Sequence, residues 1–111
     1  MNFRPQRAQK LIREELSKIV MREMEFPEAL VTITEVEVDG KLENAKIKVS
    51  VIPPSLAEKV LESLKEKTGY LHHILFNKIN LKPMPLIHFE IDRGHENAAA
   101  VEKLLIRDDN G

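Results

Sequence analysis

Cysteine and tryptophan are absent from this chain of 111 residues, tyrosine occurs once, and the four glycines stand apart at Gly40, Gly69, Gly94 and Gly111. Without cysteine there is neither a disulfide nor a thiolate metal site, which suits a reducing compartment and leads us to expect a cytoplasmic protein. No apolar run approaches the ~18 residues that a membrane span needs. The start MNFRPQRAQK also lacks the apolar stretch of a secretory signal. There is no P-loop, no nucleotide-binding glycine motif and no Gly-x-Ser-x-Gly. Glu35 and Glu37 lie two apart, but paired carboxylates on the wet side of a strand are commonplace. The expectation is a non-enzymatic protein with no cofactor and no small-molecule substrate.

Net charge is also nearly absent, at −1 with a pI near 6.4, which argues against a polycation that coats nucleic acid indiscriminately. The charges are nevertheless divided along the chain. Residues 1–22 hold six basic side chains (Arg4, Arg7, Lys10, Arg13, Lys18, Arg22) against Glu14 and Glu15. Residues 65–88 hold four lysines (Lys65, Lys67, Lys78, Lys82) and three histidines against Glu66 alone. Acids dominate 23–45 and the stretch after 90. A domain with a basic and an acidic side is expected, although solvated helix faces produce similar runs.

At this length one domain is expected. Leu11, Ile12, Leu16, Ile19, Val20 and Met24 recur at helical spacing, which predicts an amphipathic helix over Gln6 to Met24 with Pro5 in its first turn. LVTITEVEV, Leu30 to Val38, is strand-like, and its apolar phase slips near Thr34-Glu35 as a β-bulge requires. After the Asp39-Gly40 turn, AKIKVSVI alternates cleanly and completes a hairpin. Pro53-Pro54 stops that strand. Ser55 and Glu58 have the spacing of a capping box for a second helix reaching Thr68. A third helix runs from Gly69 to about Asn80, and Leu86 to Asp92 alternates as a third strand. The core therefore covers about 4–92, followed by a short helical segment over 97–106 and a frayed 107–111. The order α-β-β-α-α-β, with one apolar face per strand, predicts an α+β domain whose three-stranded sheet carries its helices on one face.

Between the second and third helices lies KTGYLHHIL, Lys67 to Leu75. A glycine there permits backbone angles that other residues resist. A sharp break leaves the amides of Tyr70 to His72 free for a phosphate, with Thr68 as a competing cap. Lys67 and Lys78 add charge nearby, and an exposed Tyr70 stacks on a base. The plain alternative is that Gly69 ends a helix and Tyr70 packs. His72 and His73 point about 100° apart on a helix and cannot easily share a metal ion, so no metal site is expected. Hydrogen bonds to phosphate suit them better. Arg4, Arg7, Lys10 and Arg13 wind a basic stripe around the first helix, and Lys46 and Lys48 project from one strand face; both patterns are equally common on solvated surfaces.

Several blocks together resemble one family, the ribosome-binding factor A proteins. Arg7-x-x-x-x-Ile12-x-x-x-Leu16-x-x-Ile19-Val20 is similar to the family's first helix, VTITEVEV with LENAKIKVSV to its hairpin, and TGYLHHILFNKINLKPMPLIHFEID to its later helix, basic-Pro exit and last strand. The segment from Glu96 to Leu105 resembles the family's ending, so the likeness covers about 4–106. It implies a KH-like domain of the second topological type. It also implies a factor that binds the immature small (30S) ribosomal subunit and its 16S rRNA, aids 5′-end maturation, matters most in the cold, and acts as a monomer. An ordinary KH domain clamps the strand with Gly-x-x-Gly, which this chain lacks. The family's usual Ala-x-Gly is replaced by Lys67-Thr68-Gly69. On this reading RNA contacts fall on Arg4, Arg7, Lys10, Arg13, Lys46, Lys48, Lys67, Thr68, Gly69, Tyr70, His72, His73, Lys78 and Lys82. The competing expectation is a small α/β protein-interaction module with no direct RNA contact.

Overall fold

The computed structural model describes residues 4–94. The segments expected over 97–106 and 107–111 lie outside them. The first helix, α1, spans Arg4–Glu23, starting one residue before Pro5, whose missing N–H costs nothing in a first turn. Its buried stripe is Ala8, Ile12, Leu16, Ile19 and Val20. Leu11 lies off that stripe at 37% exposure.

Strands β1 (Leu30–Val38) and β2 (Asn44–Ile52) pair antiparallel. The pairing steps from Ile33↔Val49 to Glu35↔Lys48, so Thr34 is the extra residue of a bulge. That one residue lets Ile33, Val36 and Val38 all face the core. The Thr34 hydroxyl donates to Asp92 Oδ2 at 2.6 Å, tying the bulge to the chain beyond the last strand. In the connecting turn, Asp39 accepts the amides of Glu43 (2.8 Å) and Asn44 (3.1 Å). Leu42 closes the turn through its amide to Asp39 O, at φ 59° and almost fully buried. A leucine held there is conformationally costly, and its buried side chain offsets that cost.

The expected capping box does not form. Pro53 and Pro54 lead into one 3-10 turn, Pro54–Leu56, closed by the Leu56 amide to Pro53 O. Ser55 sits inside that turn, and α2 (Ala57–Glu66) begins after Leu56 with no side-chain cap. The next helix, α3, spans Thr68–Lys78, ending two residues before Asn80, and β3 covers Leu86–Ile91. Strand β3 runs parallel to β2, giving the sheet order β1-β2-β3.

Ala45, Ile47, Val49 and Val51 of the central strand, with Ile87 and Phe89 of β3, face the helices and are buried. They meet Ala57, Val60 and Leu64 of α2 and Leu71 and Leu75 of α3 in one core cluster. The opposite face carries Glu35, Glu37, Lys46, Lys48 and His88, none of them buried. This is the expected α+β arrangement, a three-stranded sheet in the chain order α-β-β-α-α-β.

The turn yields a pH-dependent expectation. Its backbone amides, Glu43 first, hold the Asp39 carboxyl below the ordinary carboxylate value. A depressed folded-state pKa contributes stability that is present above the unfolded value of about 3.9 and lost as pH falls through the folded one. Asp39→Ala should therefore lower the urea midpoint at neutral pH. The gap to the parent chain should close as pH drops below about 4, measured by circular dichroism across a pH series.

Candidate nucleic-acid interface

The break between α2 and α3 is a single residue, Lys67, at φ −98° and ψ 4°. Its amide donates to Ser63 O and Leu64 O, closing α2, and its own carbonyl accepts the Leu71 amide. The expected role of Gly69 is therefore corrected. Gly69 lies inside the first turn of α3 with no positive φ, so no special backbone angle is asked of it. Thr68 does not cap α3 either; its hydroxyl donates back to Leu64 O at 3.0 Å. The amides at the start of α3 are thus Thr68 to Tyr70, earlier than Tyr70 to His72. What Gly69 does supply is space, since nothing lies within 4 Å of where a Cβ would stand.

Tyr70 is half exposed, but its hydroxyl donates to Glu23 Oε1 at 2.7 Å. Arg22 Nε holds the other Glu23 oxygen at 2.9 Å. The Tyr70 bond, then the Arg22 bond, keep the Glu23 carboxyl below its usual range, and Glu23 in turn raises the Tyr70 phenol above its ordinary value. The start of α3 is thereby pinned to the end of α1. His72 donates from Nε2 to Pro85 O at 3.0 Å, a partly buried structural bond, while His73 is exposed beside Asn77. No group of three or more His, Asp or Glu among the described residues is placed to hold a metal ion.

At the other end of α1 the chain assembles a different feature. Arg7, Lys10, Leu11 and Glu14 of the helix, Leu42 of the hairpin turn, and Asn80 to Lys82 beyond α3 line one open cleft of 640 Å³. Arg7, Lys10 and Lys82 have no ion-pair partner among the described residues. Arg13 lines an adjoining hollow with Lys10, facing β1. From Arg7 through Lys10 to Arg13 the basic stripe thus winds from the α3 side of α1 to the β1 side, as a spacing of three residues dictates, and the Arg4 side chain lies outside the described ones. Lys78 is exposed in the last turn of α3.

The sheet lysines have company. Lys48 lies 3.3 Å from Glu37 and 3.6 Å from Glu35, and Lys46 lies 4.0 Å from Glu37. The Glu37 bond raises the Lys48 ammonium above its ordinary value. With His88 bonded to Asn44 Oδ1 at 2.9 Å, this face is a mixed-charge surface. The candidate residues therefore fall into three groups: the break, the cleft, and the open sheet face. Rise along α1 places Glu23, beside the break, about 24 Å from Arg7. No sequence signal indicates that Leu42, Asn80 and Leu81 share a site or that Glu23 holds Tyr70, because no spacing rule joins positions so far apart.

The sequence profile described as ribosome-binding factor A matches residues 4–105. Ribosome-binding factor A of Clostridium perfringens is 35% identical over 108 residues, covering 94% of this chain and 93% of the relative. The protein of the same name from Caldanaerobacter subterraneus is 32% identical over 108 residues, covering 95% and 88%. Among solved structures, ribosome-binding factor A from Thermus thermophilus superposes with a TM-score of 0.69 at 16% identity, over 78% of this chain and 94% of that one. A Thermus thermophilus homology model fitted to a cryo-electron-microscopy map of its 30S complex gives 0.67 at 17% identity, over 77% and 91%. At such identities the likeness is one of fold.

The Tyr70–Glu23 contact is directly measurable because the chain has one tyrosine and no tryptophan. Ionising Tyr70 breaks its bond and sets a second anion beside Glu23. Alkaline titration of tyrosinate absorbance should show a midpoint above that of free tyrosine, and Glu23→Gln should move it down. An unchanged midpoint in the variant would show that the contact does not hold in solution.

Proposed function

The chain belongs to the ribosome-binding factor A family, and from that premise we propose that it binds the immature small (30S) ribosomal subunit and assists maturation of the 5′ region of 16S rRNA. It does so in the cytoplasm as a monomeric, non-enzymatic factor, with the greatest demand in the cold, when misfolded RNA rearranges slowly. The mechanism is positional. Binding favours one rRNA conformation, which requires higher affinity for the immature state than for the mature one.

The observation that carries this reading is the cleft. Its three cations come from two distant parts of the chain and lack carboxylate partners, in contrast to the paired lysines of the sheet face. Phosphates are the ligands that such unneutralised cations attract, and contacts of that kind position a protein on RNA. The break at Lys67 to Tyr70 provides a second contact, with helix-start amides and the open space over Gly69. Lys46 and Lys48 contribute less, because the carboxylates of Glu35 and Glu37 beside them repel an incoming phosphate. The alternative, a protein-interaction module without RNA contact, is supported by the exposed Leu30–Ile52 pair at one end of the sheet.

Salt distinguishes the two. Sedimentation with free small subunits should weaken steeply as salt rises, and Arg7→Ala/Lys10→Ala/Lys82→Ala should lower the slope of log affinity against log salt by about 2 to 3. Lys46→Ala/Lys48→Ala should change it less. Binding insensitive to salt and to the triple substitution would favour the protein-interaction reading. Gly69→Val, which the empty space over the residue accommodates, should fold normally and co-sediment less. If it co-sediments as well as the parent chain, the break is not part of the interface.

A further inference from the structure

The cleft has a floor as well as a rim, and we propose that it takes one unpaired RNA nucleotide, its base on the floor and its flanking phosphates on the rim. This rests on the RNA-binding reading above and narrows it to a class of ligand. Among the described residues the rim is Arg7, Lys10 and Lys82, opposed by Glu14; the floor is Ala8, Leu11, Leu42 and Leu81, of which Leu11 and Leu81 carry the accessible apolar surface. A duplex offers a convex surface of phosphates with its base faces stacked away, so it meets the cations and leaves the leucines against water. An unstacked base has two apolar faces and fills such a floor.

Size and chemistry agree with that ligand. The volume of 640 Å³ lies within the range of about 300–1,000 Å³ for small-molecule sites. Asn80 is exposed at the cleft, and its side-chain amide has no partner among the described residues, so a donor and an acceptor are available to a base edge.

The decisive probe is a pair of labelled oligoribonucleotides, hexaadenylate and a hexamer of the same backbone without bases, compared by fluorescence anisotropy at low salt. Their phosphate charges are equal, so rim contacts alone predict equal affinity. A base on the floor predicts tighter binding of hexaadenylate by about fivefold, the low end of what base contacts contribute, since the floor is aliphatic and not aromatic. Asn80→Ala/Leu81→Ala should remove that preference while leaving the affinity for the abasic strand unchanged, with folding checked by circular dichroism. Equal binding of the two hexamers to the parent chain, or a preference that survives the double substitution, overturns the nucleotide site and leaves the RNA-binding reading intact. Loss of neither hexamer on Arg7→Ala/Lys10→Ala/Lys82→Ala overturns both.

Discussion

The bulge at Thr34 is the constraint on which the architecture depends. A strand alternates its side chains with a period of two, so nine regular residues from Leu30 could not bring Ile33, Val36 and Val38 to one face. With Thr34 as the extra residue they do, and β1 presents an apolar surface to α1 along both of its halves. The register so fixed also places the Val38 amide 3.0 Å from Gln9 Oε1, which anchors the first half of α1 to the end of the strand. That anchor holds Arg7 and Lys10 beside the hairpin turn that carries Leu42. A slip of one residue would turn Val36 and Val38 to water and dismantle the cleft with them.

Much of this was legible in the sequence because it is periodic. The alternation Ala45, Ile47, Val49, Val51 and the phase slip at Thr34-Glu35 identify the hairpin, its inward face and its bulge. Leu71, Ile74, Leu75 and Ile79, at helical spacing, likewise point to the inward face of α3; Leu71, Leu75 and, just past its end, Ile79 are buried, and Ile74 is partly so. What failed was punctuation. Glycine rules put the bend between the helices at Gly69, but Lys67 makes the turn in a conformation open to any residue, and Gly69 is plain helix. Ser55 had the right spacing for a capping box, but two prolines before it begin a 3-10 turn, and the local proline geometry prevails over the spacing.

The site was only half legible for a different reason. Sequence identifies cations but not their partners. Lys46 and Lys48 look like Lys10 and Lys82 until the hairpin register sets them opposite Glu37 and Glu35. Cross-strand pairing is a local consequence of the fold, so these lysines are neutralised wherever the domain goes. The cations at the start of α1 and after α3 escape that fate. Among the described residues that line the cleft, the one acid is Glu14.

This difference gives the proposed function its geometry. On that proposal, a surface whose charges are already paired gains little from phosphate, and affinity concentrates where pairing failed, at the cleft and near the break. These two places are joined by α1, whose length is fixed by its hydrogen bonds, and by α3, pinned at its start through Tyr70 to Glu23. A rigid spacer of about 24 Å engages two RNA segments together only when the RNA holds them at that separation. In the proposed function, rearrangement of the rRNA then releases one contact, and the loss is large because the second contact had been effectively intramolecular. Preference for one conformational state then arises from the scaffold's stiffness and needs no energy source in the protein.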